Sequence, residues 1–142
     1  YEGIILAAAG LKRLKMADRI RHIFETDQML PAAGQGALGI EIRAARGDVR
    51  SVLQPLAHHT TWLAVAAERA VSRAMGGSCS MPLAAHAVLH GNLLDLHAAW
   101  GNPDLSSTTL VRAHSQGEVS TLEEAEALGL SAARQLRAQG AG

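Results

Sequence analysis

Three stretches of the sequence carry residue types at spacings that could do chemistry. The first is Met75-Gly-Gly-Ser-Cys-Ser-Met-Pro82, which holds the one cysteine of the chain, Cys79. Two glycines leave its backbone free to turn, and Pro82 restrains the start of the next segment. A thiol on such a loop can act as a nucleophile or as an attachment point. The same thiol can also be a small buried hydrophobe. The second stretch is Leu30-Pro-Ala-Ala-Gly-Gln-Gly-Ala-Leu-Gly-Ile-Glu41. Gly34, Gly36 and Gly39 permit close backbone approach, and Gln35 can offer an amide to an anion. The glycine spacing is not that of a dinucleotide site and no helix follows, so a plain crossover between domains fits equally well. The third is Lys12-Arg13, just after an apolar run. A strand end followed by a helix is a common ligand position, and the planar fork of Arg suits carboxylates. A solvated helix face is the plainer alternative.

The remaining polar groups point to less. The seven histidines form no metal pattern along the chain. His58 and His59 are adjacent and diverge on a helix. His86, His90 and His97 fall on expected strands without a Cys or carboxylate cluster at ligand spacing, so no metal site is expected. Glu68-Arg69 lies on an expected helix, where a surface role is the default and pairing across a domain interface the alternative.

The elements that must position these groups follow from periodicity. Gly3–Ala9 is an apolar run suited to a strand covered on both faces. A short helix is expected over Leu11–Arg21, a connection over Glu25–Gly34, and a half-buried strand over Ala37–Arg43. A helix over Asp48–Leu56 precedes a longer one from Thr60 to Met75. The latter has a stripe of Leu63, Ala66, Ala70, Val71 and Ala74, a cap at Thr60 or Thr61, and a stop at Gly76-Gly77. Leu83–His90 and Leu94–Trp100 alternate as strands around a Gly91-Asn92 hairpin turn. Gly101–Ser107 reads as a turn and Thr108–His114 as a third strand. A last helix from Leu122 to Gln139 buries Leu122, Ala125, Gly129, Ala133 and Leu136, behind a capping box at Ser120-Thr-Leu-Glu123.

Composition bounds the class. The 142 residues are 48% hydrophobic and 18% charged, enough to bury a real core. Aromatics are only 3%, so that core must be built from Ala, Leu, Val and Ile. Thirteen basic and thirteen acidic residues cancel, which argues against a global field for nucleic acid or membrane surfaces. The balance is uneven, however: residues 1–73 hold ten of the thirteen basic groups and seven acids. That shift midway suggests two structural units. One cysteine excludes an internal disulfide and a cysteine-rich zinc site. No membrane span or signal pattern is visible, and a cytoplasmic chain is expected. The chain opens at Tyr1 and runs directly into apolar residues, which reads as the middle of a domain.

Taken in order, the segments resemble porphobilinogen deaminase (hydroxymethylbilane synthase). The resemblance rests on Ile4-Ile-Leu-Ala-Ala-Ala-Gly-Leu-Lys-Arg-Leu14, on Leu30–Glu41, on Ala67-Glu-Arg-Ala70, and on Gly76-Gly-Ser-Cys-Ser-Met-Pro82 with Ala84-Ala-His-Ala87. Gly101-Asn-Pro-Asp104 also fits. The resemblance implies an α+β fold: a small three-stranded antiparallel sheet with helices on one face, preceded by remnants of periplasmic-binding-protein-like α/β domains. It implies that residues 1–30 end a second α/β domain, that 31–46 form a crossover strand of the first, and that 47–142 are a C-terminal α+β domain that anchors a cofactor.

By the same resemblance, the family condenses four porphobilinogen molecules into hydroxymethylbilane and releases ammonia. It primes the reaction with a dipyrromethane cofactor held by a thioether to a cysteine, and Cys79 matches that position. Arg13 matches an arginine that binds acetate and propionate groups. Gln35 and Gly36 match crossover residues that contact the cofactor, and Ala7 matches a backbone position lining the cleft. Ser78 departs from the glycine the family commonly has before this cysteine. The catalytic Asp belongs to the first domain of the family, and none of Asp18, Asp27, Asp48, Asp95 or Asp104 can take its role. The chain alone is therefore expected to be inactive and to need the N-terminal domains of a parent enzyme, itself expected to be monomeric. The alternatives are a non-catalytic module binding a small anion through Lys12, Arg13 and Gln35, with Cys79 in its core, and a thiol enzyme pairing Cys79 with a histidine such as His86.

Overall fold

The computed structural model describes residues 2–78, 80–101 and 110–142. The order of elements is α1 (Ala8–Arg13), a 3-10 turn (Ala17–Arg19), α2 (Gly47–Leu53), a 3-10 turn (Gln54–Leu56), α3 (His59–Ala74), β1 (Leu83–His90), β2 (Leu93–Trp100), β3 (Val111–Glu118) and α4 (Leu122–Ala138). The strands form one antiparallel sheet in the order β1-β2-β3. The fold is thus α+β, with a three-stranded antiparallel sheet and helices packed against it, as the sequence led us to expect.

Alternation decides which side of the sheet is covered. Ala85, Ala87, Leu94, Leu96, Ala98, Trp100 and Ala113 point to one face and are buried. α3 packs on β1 and α4 on β2 and β3, while the two helices pack on each other. Leu63, Val71, Leu94, Leu96 and Leu136 are almost wholly enclosed. Met75, Trp100 and Val119 join them, and alanines make up the rest of the core, so the helices lie close to each other and to the sheet. The Gly91-Asn92 turn forms where expected, joining His90 to Leu93 with Gly91 at φ 65°. No helix of the described residues is long and apolar enough to cross a membrane.

Several expectations need correction. Gly3–Ala9 is not a strand: residues 2–7 are irregular and Ala8 already begins α1. The run expected over Leu11–Arg21 breaks after Arg13. Ala37–Arg43 is likewise irregular. The physical reason is shared: among the described residues neither segment has a neighbouring strand to complete its backbone hydrogen bonds. Their apolar side chains stay in solvent, with Ile4 at 73% and Leu38 at 97% exposure. α3 is capped at His58, and Thr60 and Thr61 lie inside its first turn with hydroxyls 3.1 and 2.8 Å from the His58 imidazole. Its buried residues are Leu63, Ala67, Glu68, Ala70 and Val71, so Ala66 and Ala74 lie at the margin.

The capping box of α4 sits one residue later than expected, at Thr121 and Glu124. Leu122 is accordingly exposed and Ala132 joins the buried stripe. The third strand runs Val111–Glu118 rather than ending at His114. Most of the turn expected over Gly101–Ser107 lies outside the described residues.

Candidate functional site

The loop after α3 is shaped by its glycines. The N–H of Gly77 donates to the Ser72 carbonyl at 2.8 Å and that of Gly76 to the Arg73 carbonyl at 3.4 Å. This paired closure uses φ of 109° at Gly76 and 61° at Gly77, a region where side chains are strained. Beyond it, Met81 N–H donates to the Ser78 carbonyl at 3.2 Å, and the Ser78 and Ser80 hydroxyls lie 2.6 Å apart. Ser78 and Ser80 are both exposed. Cys79 itself lies outside the described residues.

Gln35 and Gly36 sit in a turn tied to the sheet. Gly34 and Gly36 take φ of 76° and 87°, and Gln35 N–H donates to the Ala32 carbonyl at 2.9 Å. The tie is Glu68, which the sequence led us to place on the surface and which is only 5% exposed. Its Oε2 accepts the Gly34 N–H at 2.7 Å and its Oε1 accepts the Ala87 N–H at 2.8 Å. Pro31 adds a second clasp, its carbonyl accepting the Ala85 N–H at 3.1 Å. Ala85 and Ala87 are on the free edge of β1, so Glu68 and Pro31 close an edge that would otherwise be open to pairing. Burial pushes the Glu68 carboxyl above the usual carboxylate range, partly offset by the two N–H donors and by His86, whose Nδ1 is 3.7 Å away. No signal along the chain separated this buried carboxylate from a solvated one.

Ala7 and Arg13 bracket α1. The Ala7 carbonyl accepts from Gly10 N–H at 3.0 Å, and Lys12 and Arg13 are exposed in the last turn. Lys15 follows at φ 59°. Among the described elements, α1 packs only on the 3-10 turn that follows it. The structure thus fixes Gln35 and Gly36 beside β1 and leaves Ala7 and Arg13 outside the core of the α+β unit.

One cluster was missed altogether. Asp95, His97 and His114 bring ligand atoms within 4.8 Å of one another on the face of the sheet away from the helices. Spacing along the chain does not reveal it, because cross-strand register assembles this group: His97 lies directly opposite His114. The hydrogen bond with His114 holds the Asp95 carboxyl below its ordinary range.

Comparison with known proteins gives this geometry a family. Residues 1–51 match the model described as "Porphobilinogen deaminase, dipyromethane cofactor binding domain", and residues 62–138 match "Porphobilinogen deaminase, C-terminal domain". A protein of Albidiferax ferrireducens named porphobilinogen deaminase is 62% identical over 97% of this chain and 44% of its own length. One of Burkholderia thailandensis with the same name is 53% identical over 99% of this chain and 42% of its own. The chain therefore spans less than half the length of these curated relatives. Fold and matched segments together define a chain that joins a segment matching one family model, residues 1–51, to a small α+β domain matching a second. It belongs to the porphobilinogen deaminase family.

Proposed function

We propose that this chain works as the cofactor-anchoring portion of a porphobilinogen deaminase. That transferase of tetrapyrrole and heme biosynthesis joins four porphobilinogen molecules head to tail into hydroxymethylbilane. In each addition the carbon–nitrogen bond of the aminomethyl group breaks, a carbon–carbon bond forms to the free α-carbon of the chain-end pyrrole, that carbon gives up its proton, and ammonia leaves; one water supplies the hydroxyl of the released product. The observation that carries the proposal is the tandem match of the two family segments in order along one chain. Residues 1–30 would belong to the second α/β domain, 31–46 to a crossover strand of the first, and 47–142 to the anchoring domain. The enzyme would be cytoplasmic.

The dipyrromethane cofactor, when bound, supplies the pyrrole end to which substrate units are added. Cys79 would hold it through a thioether, a bond that water does not cleave and that a soft thiolate forms readily. Its exposed neighbours Ser78 and Ser80 and the glycine-built turn before them suit a site that must admit a bulky group. The exposed fork of Arg13 would grip pyrrole carboxylates. Gln35 and Gly36 would contact the cofactor from a turn that Glu68 holds in place, and Ala7 would line the cleft. No acid of this chain is assigned as the catalytic group, so activity would require the N-terminal domains.

Mixing the chain with the N-terminal portion of a relative and assaying bilane tests this. Activity in the mixture, none from either part alone, and an added dipyrromethane mass on Cys79 are expected. Normal turnover with Cys79→Ser would remove the anchor assignment. No bilane from a mixture whose parts are shown to associate would remove the functional proposal.

A further inference from the structure

We propose that Asp95, His97 and His114 bind a single divalent transition-metal cation, with zinc as the representative ion, on the open face of the sheet. Strand register builds the site. The Ala85 N–H points away from β2 to the Pro31 carbonyl, so in β1 the residues of opposite parity, including His86, exchange hydrogen bonds with β2. His97, the partner of His86, therefore spends its backbone bonds on β1 and faces His114 as a non-hydrogen-bonded pair. Such pairs are the closely spaced ones, which brings the two imidazoles together. Their rings stack with centroids 4.4 Å apart and planes 13° from parallel. Asp95, two residues before His97 on β2, projects from the same face.

The three side chains converge on one point. His114 Nε2 lies 2.5 Å and His97 Nε2 lies 3.5 Å from the same oxygen, Asp95 Oδ1. Zinc bond lengths of about 2.0–2.2 Å set tetrahedral ligand atoms roughly 3.3 Å apart. All ligand atoms lie within 4.8 Å of one another, and turning the stacked rings about their Cβ–Cγ bonds would bring both in-plane Nε2 lone pairs onto one ion. Two imidazoles and one carboxylate make a mixed nitrogen and oxygen donor set. That set favours zinc and its first-row neighbours over magnesium or calcium, which prefer all-oxygen shells. Three protein ligands leave a fourth position open. A groove of about 320 Å³ lined in part by Asp27, His86, Asp95 and His97 adjoins it and gives access. The His97 and His114 side chains are 50% and 53% exposed, so the sheet does not depend on them for its core.

Calorimetric titration of Zn²⁺ into the full chain tests the site, with Cys79→Ser introduced to remove the competing thiol. About one ion per chain is expected. His97→Ala, His114→Ala and Asp95→Asn should each weaken binding by at least about tenfold, while His22→Ala should not change it. In the unsubstituted chain, zinc should shift the imidazole resonances of His97 and His114 together and leave that of His22 in place. Absence of binding up to millimolar zinc would overturn the site. So would binding that survives the His97→Ala, His114→Ala double substitution, or zinc shifts confined to other histidines.

Discussion

Gly129 of α4 lies directly over Ala67 of α3, with no room for a side chain between them. A Cβ built on Gly129 would overlap the Ala67 carbonyl oxygen and stand 2.7 Å from the Ala70 Cβ. The obstacle is backbone, which cannot rotate aside. Gly129→Ala should therefore destabilise the chain by about 1–3 kcal/mol through overpacking, despite the better helix propensity of Ala. Urea unfolding checks this. An unchanged or raised midpoint would mean that the helices are not held this close.

Glu68→Ala should leave two backbone donors, Gly34 N–H and Ala87 N–H, without their partner. A loss of about 1–3 kcal/mol is expected, since an unpaired buried donor bears its full desolvation cost. Hydrogen exchange should rise at Ala87 and Gly34 before it rises in β2.

The same carboxyl makes stability depend on pH in a defined direction. Its folded pKa is raised, so between the unfolded and folded values the folded chain holds more protons. The contribution of Glu68 is thus fully present below the unfolded value and diminishes as pH rises through the folded one. Glu68→Gln should lack this dependence, and its deficit relative to the parent should be larger at low pH than at neutral pH. Chemical denaturation across that range provides the check; a deficit that grows with pH would reverse the sign.

Thr121→Ala should cost about 1 kcal/mol, the usual effect of losing a helix cap. The Thr121 hydroxyl accepts from Glu124 N–H at 3.2 Å, while Glu124 Oε2 accepts from the N–H groups of Ser120 and Thr121 at 2.7 and 3.0 Å. Those donors lower the Glu124 pKa, so its contribution is present above the unfolded value and lost as pH falls through the folded one. Ser120→Ala should be nearly neutral by the same assay, because the Ser120 side chain is not the cap. A larger loss at Ser120 than at Thr121 would place the cap one residue earlier.

Gly76→Ala should strain the loop that leads to Cys79, because φ of 109° lies outside the range side chains normally adopt. We expect a stability loss of about 1–2 kcal/mol and, in the complemented enzyme, slower cofactor attachment read by mass. Cys79→Ser should abolish attachment, read by the same mass measurement.

Much of the α+β unit was legible along the chain because its signals are local. Leu83–Trp100 alternates at period two around Gly91-Asn92, and α3 carries its apolar stripe at helical spacing. These patterns hold wherever the chain is placed. The Gly76-Gly77 turn that ends α3 was equally visible, since paired glycines declare backbone freedom by type. Gly3–Ala9 and Ala37–Arg43 were misread because a strand exists only with a partner, which no local pattern supplies. Glu68 shows the same limit for a side chain: its type predicts solvent, and only packing on the β1 edge made it a buried acceptor. The juxtaposition of His97 with His114 depended on the register between two strands. Residue types and local period were set by the sequence itself; which distant groups share a point in space was decided by tertiary structure, because hydrogen-bonded register and burial are properties of pairs of segments.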